Sequence, residues 1–314
     1  MPVLESSYKS PISLLGGHLE TILPAVIRKP SFIFDARKAL ELSDGDFVEL
    51  EIVNNGNRKC VILSHGLEGD SQTSYIKSTA KCFSNKGYDV IAWNFRGCGL
   101  EKNKLPRMYH SGATEDLHEV VEYASKQYEE LYLIGFSMGG NQTLKYLGER
   151  TIDSKVKASA AFSVPCDLQA SGARLEEWDN IIYLKRFLKK LGRKIKYKSK
   201  LYPKQVSYSG YERISTFKEF DDRYTAPLHG FENSLDYYKK SSSAQFLGSI
   251  KVPTLLVNAK NDPFLVESCF PFKAAHFNCD LYLEAPEHGG HVGFVSFGSF
   301  WMAKRAHEFF VNKA

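Results

Sequence analysis

The segment Leu131–Phe136 (LYLIGF) constrains this chain most. It is apolar throughout and runs without a break into Ser137-Met138-Gly139-Gly140 and a helix-compatible stretch ending near Gly148. A strand with no polar alternation is stable only where both faces of its sheet are covered, which calls for a parallel sheet wrapped by helices. The flanking sequence repeats the theme. Asp89–Trp93, Ala158–Val164, Pro253–Ala259 and Leu281–Glu284 read as further strands. Gln72–Lys86, with Gly87 as its stop, and Thr114–Gln127, with Leu117, Val120 and Val121 on one face, read as helices. A closing helix is predicted from about Ser299 to Val311. Phe47–Val53 alternates with period two, and Asn54-Asn55-Gly56-Asn57 leads on to Cys60–Leu63, a pattern that predicts a hairpin feeding the sheet.

From Pro165 to Ile250 the buried-strand pattern lapses, and aromatic and basic residues take over. The expected architecture is therefore an α/β fold with a mostly parallel central sheet flanked by helices and an inserted helical cap. One domain spans residues 1–314, with its core at about 40–164 and 251–314. The cap lies at about 165–250, and 1–39 form an N-terminal extension packed on the core.

Hydrophobic residues make up 43% and charged residues 25% of the chain, ordinary values for a folded protein. No apolar run approaches the roughly 18 residues of a membrane-spanning helix, and the N-terminus lacks the pattern of a secretory signal. A cytoplasmic protein is expected. The six cysteines are scattered without CxxC spacing, so neither a disulfide framework nor a zinc site is expected.

Gly135-Phe136-Ser137-Met138-Gly139 is a G-x-S-x-G between strand and helix, the context in which a serine is presented on a sharp turn as a nucleophile. Such a serine needs a base, and the base needs an acid. Asp262 follows the strand Pro253–Ala259 on a tight loop, and His291 lies in the Gly-rich loop after Leu281–Glu284, so the order Ser, acid, His is met. Taken singly, Asp262 is also an ordinary turn aspartate before proline and His291 an ordinary loop histidine; the three together, each at a strand end, point to one site. His288 competes with His291 for the base, and the flanking glycines favour His291. An HxxH metal reading of the pair lacks a helix and a third ligand. The N–H groups of Met138 and Leu67 are the expected oxyanion donors, Leu67 lying in Ser64-His65-Gly66-Leu67-Glu68-Gly69-Asp70. His65, ahead of Ser137 in the chain, is read as a structural side chain behind that loop.

Five segments carry a resemblance: His65-Gly66-Leu67-Glu68-Gly69, Asn94-Phe95-Arg96-Gly97-Cys98-Gly99, Gly135 to Asn141, Phe220 to Pro227 (FDDRYTAP), and Gly289 to Phe294. With Gly16-Gly17-His18-Leu19-Glu20-Thr21-Ile22, they resemble the YheT-like branch of the α/β-hydrolase superfamily over nearly the whole chain. The resemblance implies a carboxylic-ester hydrolase with Ser137, Asp262 and His291 in the catalytic positions and no cofactor. It leaves the substrate open, because the branch includes bacterial proteins of unassigned substrate, fungal enzymes moving medium-chain acyl groups to alcohols, and animal phospholipase-type enzymes. A small-molecule or lipid acyl ester is the expected partner. Asp221 and Asp222, in the cap, are expected to be structural.

The net charge of +5 is unevenly placed. Ten Lys or Arg residues fall between Lys185 and Lys204 with no acid among them, and removing those ten from +5 leaves the rest at −5. Leu184, Phe187, Leu188, Leu191 and Ile195 recur at helical spacing, so this segment reads as a helix apolar on one side and cationic on the other. The cationic side is either simply solvated or a contact for an anionic membrane surface or substrate. No nucleic-acid recognition motif accompanies the charge.

Overall fold

The structure, a computed structural model, describes residues 3–11, 16–296 and 300–313. In chain order the elements are β1 (Val3–Leu4), α1 (Gly17–Ile27), β2 (Ala36–Glu41), β3 (Phe47–Val53), β4 (Lys59–Ser64), α2 (Ser74–Ser84), β5 (Asp89–Asn94), α3 (Thr114–Ser125), β6 (Glu130–Phe136), α4 (Met138–Glu149) and β7 (Val156–Phe162). Helices α5 (Leu168–Glu176), α6 (Ile181–Leu201), α7 (Phe217–Phe220), α8 (Ala226–His229) and α9 (Ser234–Ser241) follow, with a π-helical turn over Asp221–Thr225 between α7 and α8. The chain closes with β8 (Thr254–Val257), α10 (Phe272–Phe277), β9 (Leu281–Glu284) and α11 (Trp301–Lys313).

The strands form one nine-stranded sheet in the order β1-β9-β8-β7-β6-β4-β5-β3-β2. Every neighbouring pair from β1 to β5 is parallel, and β3 pairs antiparallel with both β5 and β2. Apolar clusters cover both faces, which is why β4 to β8 carry few polar side chains. Ile62, Leu133 and Leu256 point into one cluster, and Val61, Ile134 and Leu255 into the other.

One expectation fails here. Phe47–Val53 and Cys60–Leu63 are not a hairpin, because β5 lies between them: Val53 pairs with Val90, and Cys60 with Asp89. The Asn-Gly segment instead crosses the end of β5, where Asp89 Oδ1 accepts the N–H groups of Asn55 (3.0 Å) and Asn57 (3.3 Å). Near the N-terminus, β1 adds to the sheet edge beside β9, and β2 begins at Ala36. Strand β2 (ARKALE) is largely exposed, so it carries no buried-strand signature. Ser299, where the sequence places the start of the closing helix, lies outside the described residues.

Candidate active site

The strands β4, β6, β8 and β9 run parallel, so the loops that leave their C-terminal ends meet at one edge of the sheet. The loop after β6 is the tightest. Ser137 takes φ 52° and ψ −120° between strand and helix, a conformation that L-residues rarely adopt. Two residues to either side of it, only glycine fits. A Cβ on Gly135 would lie 2.5 Å from Gly139 O, and one on Gly139 would lie 2.4 Å from His65 O. The Ser137 N–H donates to Phe162 O of β7 at 2.9 Å, tying the turn to the neighbouring strand.

Three side chains from three loops form a hydrogen-bonded chain. His291 Nε2 lies 2.9 Å from Ser137 Oγ, and His291 Nδ1 lies 2.9 Å from Asp262 Oδ2. Asp262, whose side chain is buried, also accepts the Phe264 N–H at 2.9 Å, and the Phe264 ring packs against the imidazole. Nδ1–H therefore donates to Asp262, which leaves the Nε2 lone pair facing the serine hydroxyl. His288 is not part of this chain; half exposed, it faces Asn261 and Glu20.

The loop after β4 closes over Ser137. Gly69 N–H donates to Gly66 O at 3.0 Å, and the Gly66 N–H donates to Tyr75 Oη at 2.9 Å. Neither Leu67 N–H nor Met138 N–H has an acceptor among the described residues, and both residues line the cavity that contains Ser137 and His291. His65 sits behind the loop. It accepts the Phe95 N–H on Nε2 and donates from Nδ1 to Gly66 O, and burial pushes its pKa down to about 3, so it stays neutral and engaged.

Helix α1 braces the histidine loop, a role the sequence reading did not assign. The buried Glu20 carboxylate accepts from Gly289 N–H (2.6 Å), Asn261 Nδ2 (2.9 Å) and the Ser10 hydroxyl, and Thr21 Oγ1 accepts the His291 N–H at 2.8 Å. Only the Gly-His-Leu-Glu-Thr string pointed to this segment. Among the described residues, all non-glycine residues with positive φ (Glu68, Ser137, Ser163, Val292 and Phe294) lie in the strand-end loops around this site. Such strain persists where the surroundings over-determine the backbone.

The cavity holds about 560 Å³ and is walled by α1, α5, α6, α7 and the π-helical turn. Its lining is mainly apolar and aromatic, with Val26, Leu168, Phe187 and Phe220 among it. Asp221 also lines it, accepting from Thr225 Oγ1 at 2.5 Å and Tyr238 Oη at 2.7 Å, whereas Asp222 faces outward to Lys218. On α6 the cationic side is not uniformly solvated. Lys190, Lys194 and Lys198 turn toward the body of the protein and donate to Glu68, Cys98, Asn103 and Leu105. Among the described residues no group of His, Cys, Asp or Glu is arranged to hold a metal ion, and no helix is long and apolar enough to cross a membrane.

Residues 59–297 match the family model of the alpha/beta hydrolase fold. The chain belongs to the alpha/beta-hydrolase family. Within it, this alpha/beta hydrolase is YheT-like: it is 31% identical over 286 residues to the candidate esterase YheT of Escherichia coli (strain K12), covering 88% of this chain and 84% of that protein. It is 28% identical to phospholipase ABHD3 of Homo sapiens over 94% of this chain and 75% of that protein. Among solved structures, the Pyrococcus furiosus esterase Pf2001 superposes with a TM-score of 0.61 at 20% identity, over 90% of this hydrolase chain and 91% of the other, a likeness of fold.

Proposed function

We propose that this protein is a carboxylic-ester hydrolase that works through an acyl-enzyme on Ser137, with His291 as base and Asp262 as its orienting acid. The observation that carries the reading is the Ser137–His291–Asp262 hydrogen-bonded chain, with the lone pair of Nε2 toward Oγ. Names of the family relatives agree with ester chemistry.

In this mechanism His291 takes the Ser137 proton as Oγ attacks the acyl carbonyl. Asp262 holds the imidazole tautomer and stabilises the imidazolium. The electron pair displaced onto the carbonyl oxygen is met by Leu67 and Met138 N–H. Collapse expels the alcohol, protonated by His291, and water, deprotonated in turn by His291, releases the acid. The mainly apolar cavity wall suits an apolar acyl chain. Helices between β7 and β8, residues 165–250, act as the cap supplying much of that wall, over a single core of 40–164 and 251–314.

Ser137→Ala tests the reading. Fluorophosphonate labelling should vanish, and turnover of p-nitrophenyl esters should fall by about 10⁴- to 10⁶-fold, with the circular dichroism spectrum unchanged. A folded variant that keeps most of its turnover would overturn the assignment.

A further inference from the structure

The oxyanion loop after β4 is gripped from the opposite side of the cavity by two lysines, and the grip bears on one residue. Glu68 stands third in the turn closed by Gly69 N–H to Gly66 O, with φ 53°, a position that favours glycine. An L-residue with a long side chain stays there only if its neighbours hold it.

The N–H, the carbonyl oxygen and Oε1 of Glu68 are each held. Its N–H donates to Tyr109 Oη at 3.3 Å, and its Oε1 accepts from Tyr109 Oη at 2.5 Å and from Lys194 Nζ at 2.7 Å. Its carbonyl oxygen accepts from Lys190 Nζ at 2.9 Å. Lys190 and Lys194 are one turn apart on α6, so a single helix supplies both cations. The pair is sheltered, with side-chain exposure of 4% for Glu68 and 14% for Lys194. Burial alone would push the Lys194 pKa down; the adjacent Cys98 sulfur and Glu68 carboxylate outweigh it and the net direction is up. Burial, then Glu68, pushes Tyr109 well above the ordinary phenol range, so its hydroxyl remains a donor.

The grip reaches Leu67 through two planar peptide units. Lys190 fixes the Glu68 carbonyl and hence the plane that carries the Gly69 N–H. That N–H holds the Gly66 carbonyl, which also accepts from His65 Nδ1 at 2.8 Å. In a trans peptide the N–H points opposite to the carbonyl, so fixing Gly66 O aims the Leu67 N–H.

We propose that Lys190 and Lys194 are positioning residues that hold the Leu67 N–H in its oxyanion-binding orientation, so that the seating of α6 on Glu68 governs transition-state stabilisation at Ser137. This rests on the serine-hydrolase reading above. It makes a rise of α6 away from the loop an inactivating motion, since the strained Glu68 turn would lose its grip as the helix left.

The test is Lys190→Met/Lys194→Met, measured for kcat and KM on a p-nitrophenyl ester and for affinity toward an alkyl trifluoromethyl ketone, which forms an oxyanion adduct. A non-reactive alkyl ether of the same length reports ground-state binding. The double variant should lose about 10- to 100-fold in kcat and a similar factor in ketone affinity, with KM and ether binding within about 2-fold of wild type. Lys194→Arg should recover much of the kcat, and Lys189→Met on the exposed side of α6 should match wild type. Tyr109→Phe removes one grip on Glu68 at nearly constant shape and should shift kcat in the same direction by less, so the question stays answerable if the double variant does not fold. Unchanged kcat and ketone affinity in folded Lys190→Met/Lys194→Met or Tyr109→Phe, or equal losses for ketone and ether, would overturn the proposal. A wild type that neither labels with fluorophosphonate nor cleaves esters would instead remove the hydrolase reading beneath it.

Discussion

Replacing Asp221 by asparagine should change how stability depends on pH, because this carboxyl is held in the folded protein far from its behaviour in water. It sits in the π-helical turn on the cavity wall, 8% exposed, with two hydrogen bonds from the neutral Thr225 and Tyr238 hydroxyls. Burial pushes its pKa up to about 7 from 3.8; the two hydrogen bonds pull it back only in part, and the Asp222 charge adds to the rise. Between these two values the unfolded chain has lost the proton and the folded chain still holds it. The folded state then binds more protons, so stability falls as pH rises through this window and levels off above about 7. From pH 5 to pH 8 the pKa of about 7 converts to a loss on the order of 3 kcal/mol from this one residue. An asparagine amide in its place would not titrate, and the neighbouring hydroxyls can rotate to serve it. Urea denaturation of both proteins at pH 5, 6, 7 and 8 measures the effect. The stability of Asp221→Asn relative to wild type should rise by roughly 3 kcal/mol over that range. Parallel pH profiles would refute the reasoning and mean that water reaches the carboxylate and solvates it.

Three further outcomes follow from contacts in and around the site. His291→Ala should reduce turnover nearly as far as Ser137→Ala, whereas His288→Ala, which removes a half-exposed ring, should stay within about 10-fold of wild type in the same ester assay. Glu20→Ala takes away the acceptor of the Gly289 N–H and the Asn261 amide, and should lower kcat by about 10- to 100-fold through a displaced His291, with fluorophosphonate labelling slowed but still present. Arg96→Met strands the buried carboxylate of Asp116, which accepts from Arg96 Nε and Nη2, and removes one of several donors to Asp46; it should cost about 3–5 kcal/mol in urea denaturation.

What could be read from the sequence is what local chemistry determines. The apolar run before Ser137 and the glycines around it specify strand, turn and helix within a few residues, so the sharp turn at Ser137 was legible. Strand pairing was not. Phe47–Val53 alternates Glu49 and Glu51 with apolar residues, which suggests one wet face, yet both acids are at least nine-tenths buried. Arg37 of β2 pairs with Glu51 at 2.6 Å, and the Glu101 N–H approaches Glu49 at 3.4 Å. The covering groups are distant in sequence, and the turn residues between β3 and β4 look the same whether they close a hairpin or cross another strand.

The same physics hid the inward contacts of α1 and α6. In α1 the expected amphipathic order is inverted, with Leu19, Ile22 and Val26 exposed and Glu20 fully buried. The loop donors of Gly289 and Asn261 need a buried acceptor, while Ile22 and Val26 contribute to the cavity wall. A periodicity argument has no term for either demand. In α6, lysines at helical spacing look like a solvated face because the group that binds two of them, Glu68, lies more than a hundred residues earlier. Both helices place charged side chains against loops of the candidate site: Glu20 accepts from the loop that carries His291, and Lys190 and Lys194 donate to Glu68 in the loop after β4. The charge that composition assigns to the surface is here turned inward, onto loops at the C-terminal ends of the strands.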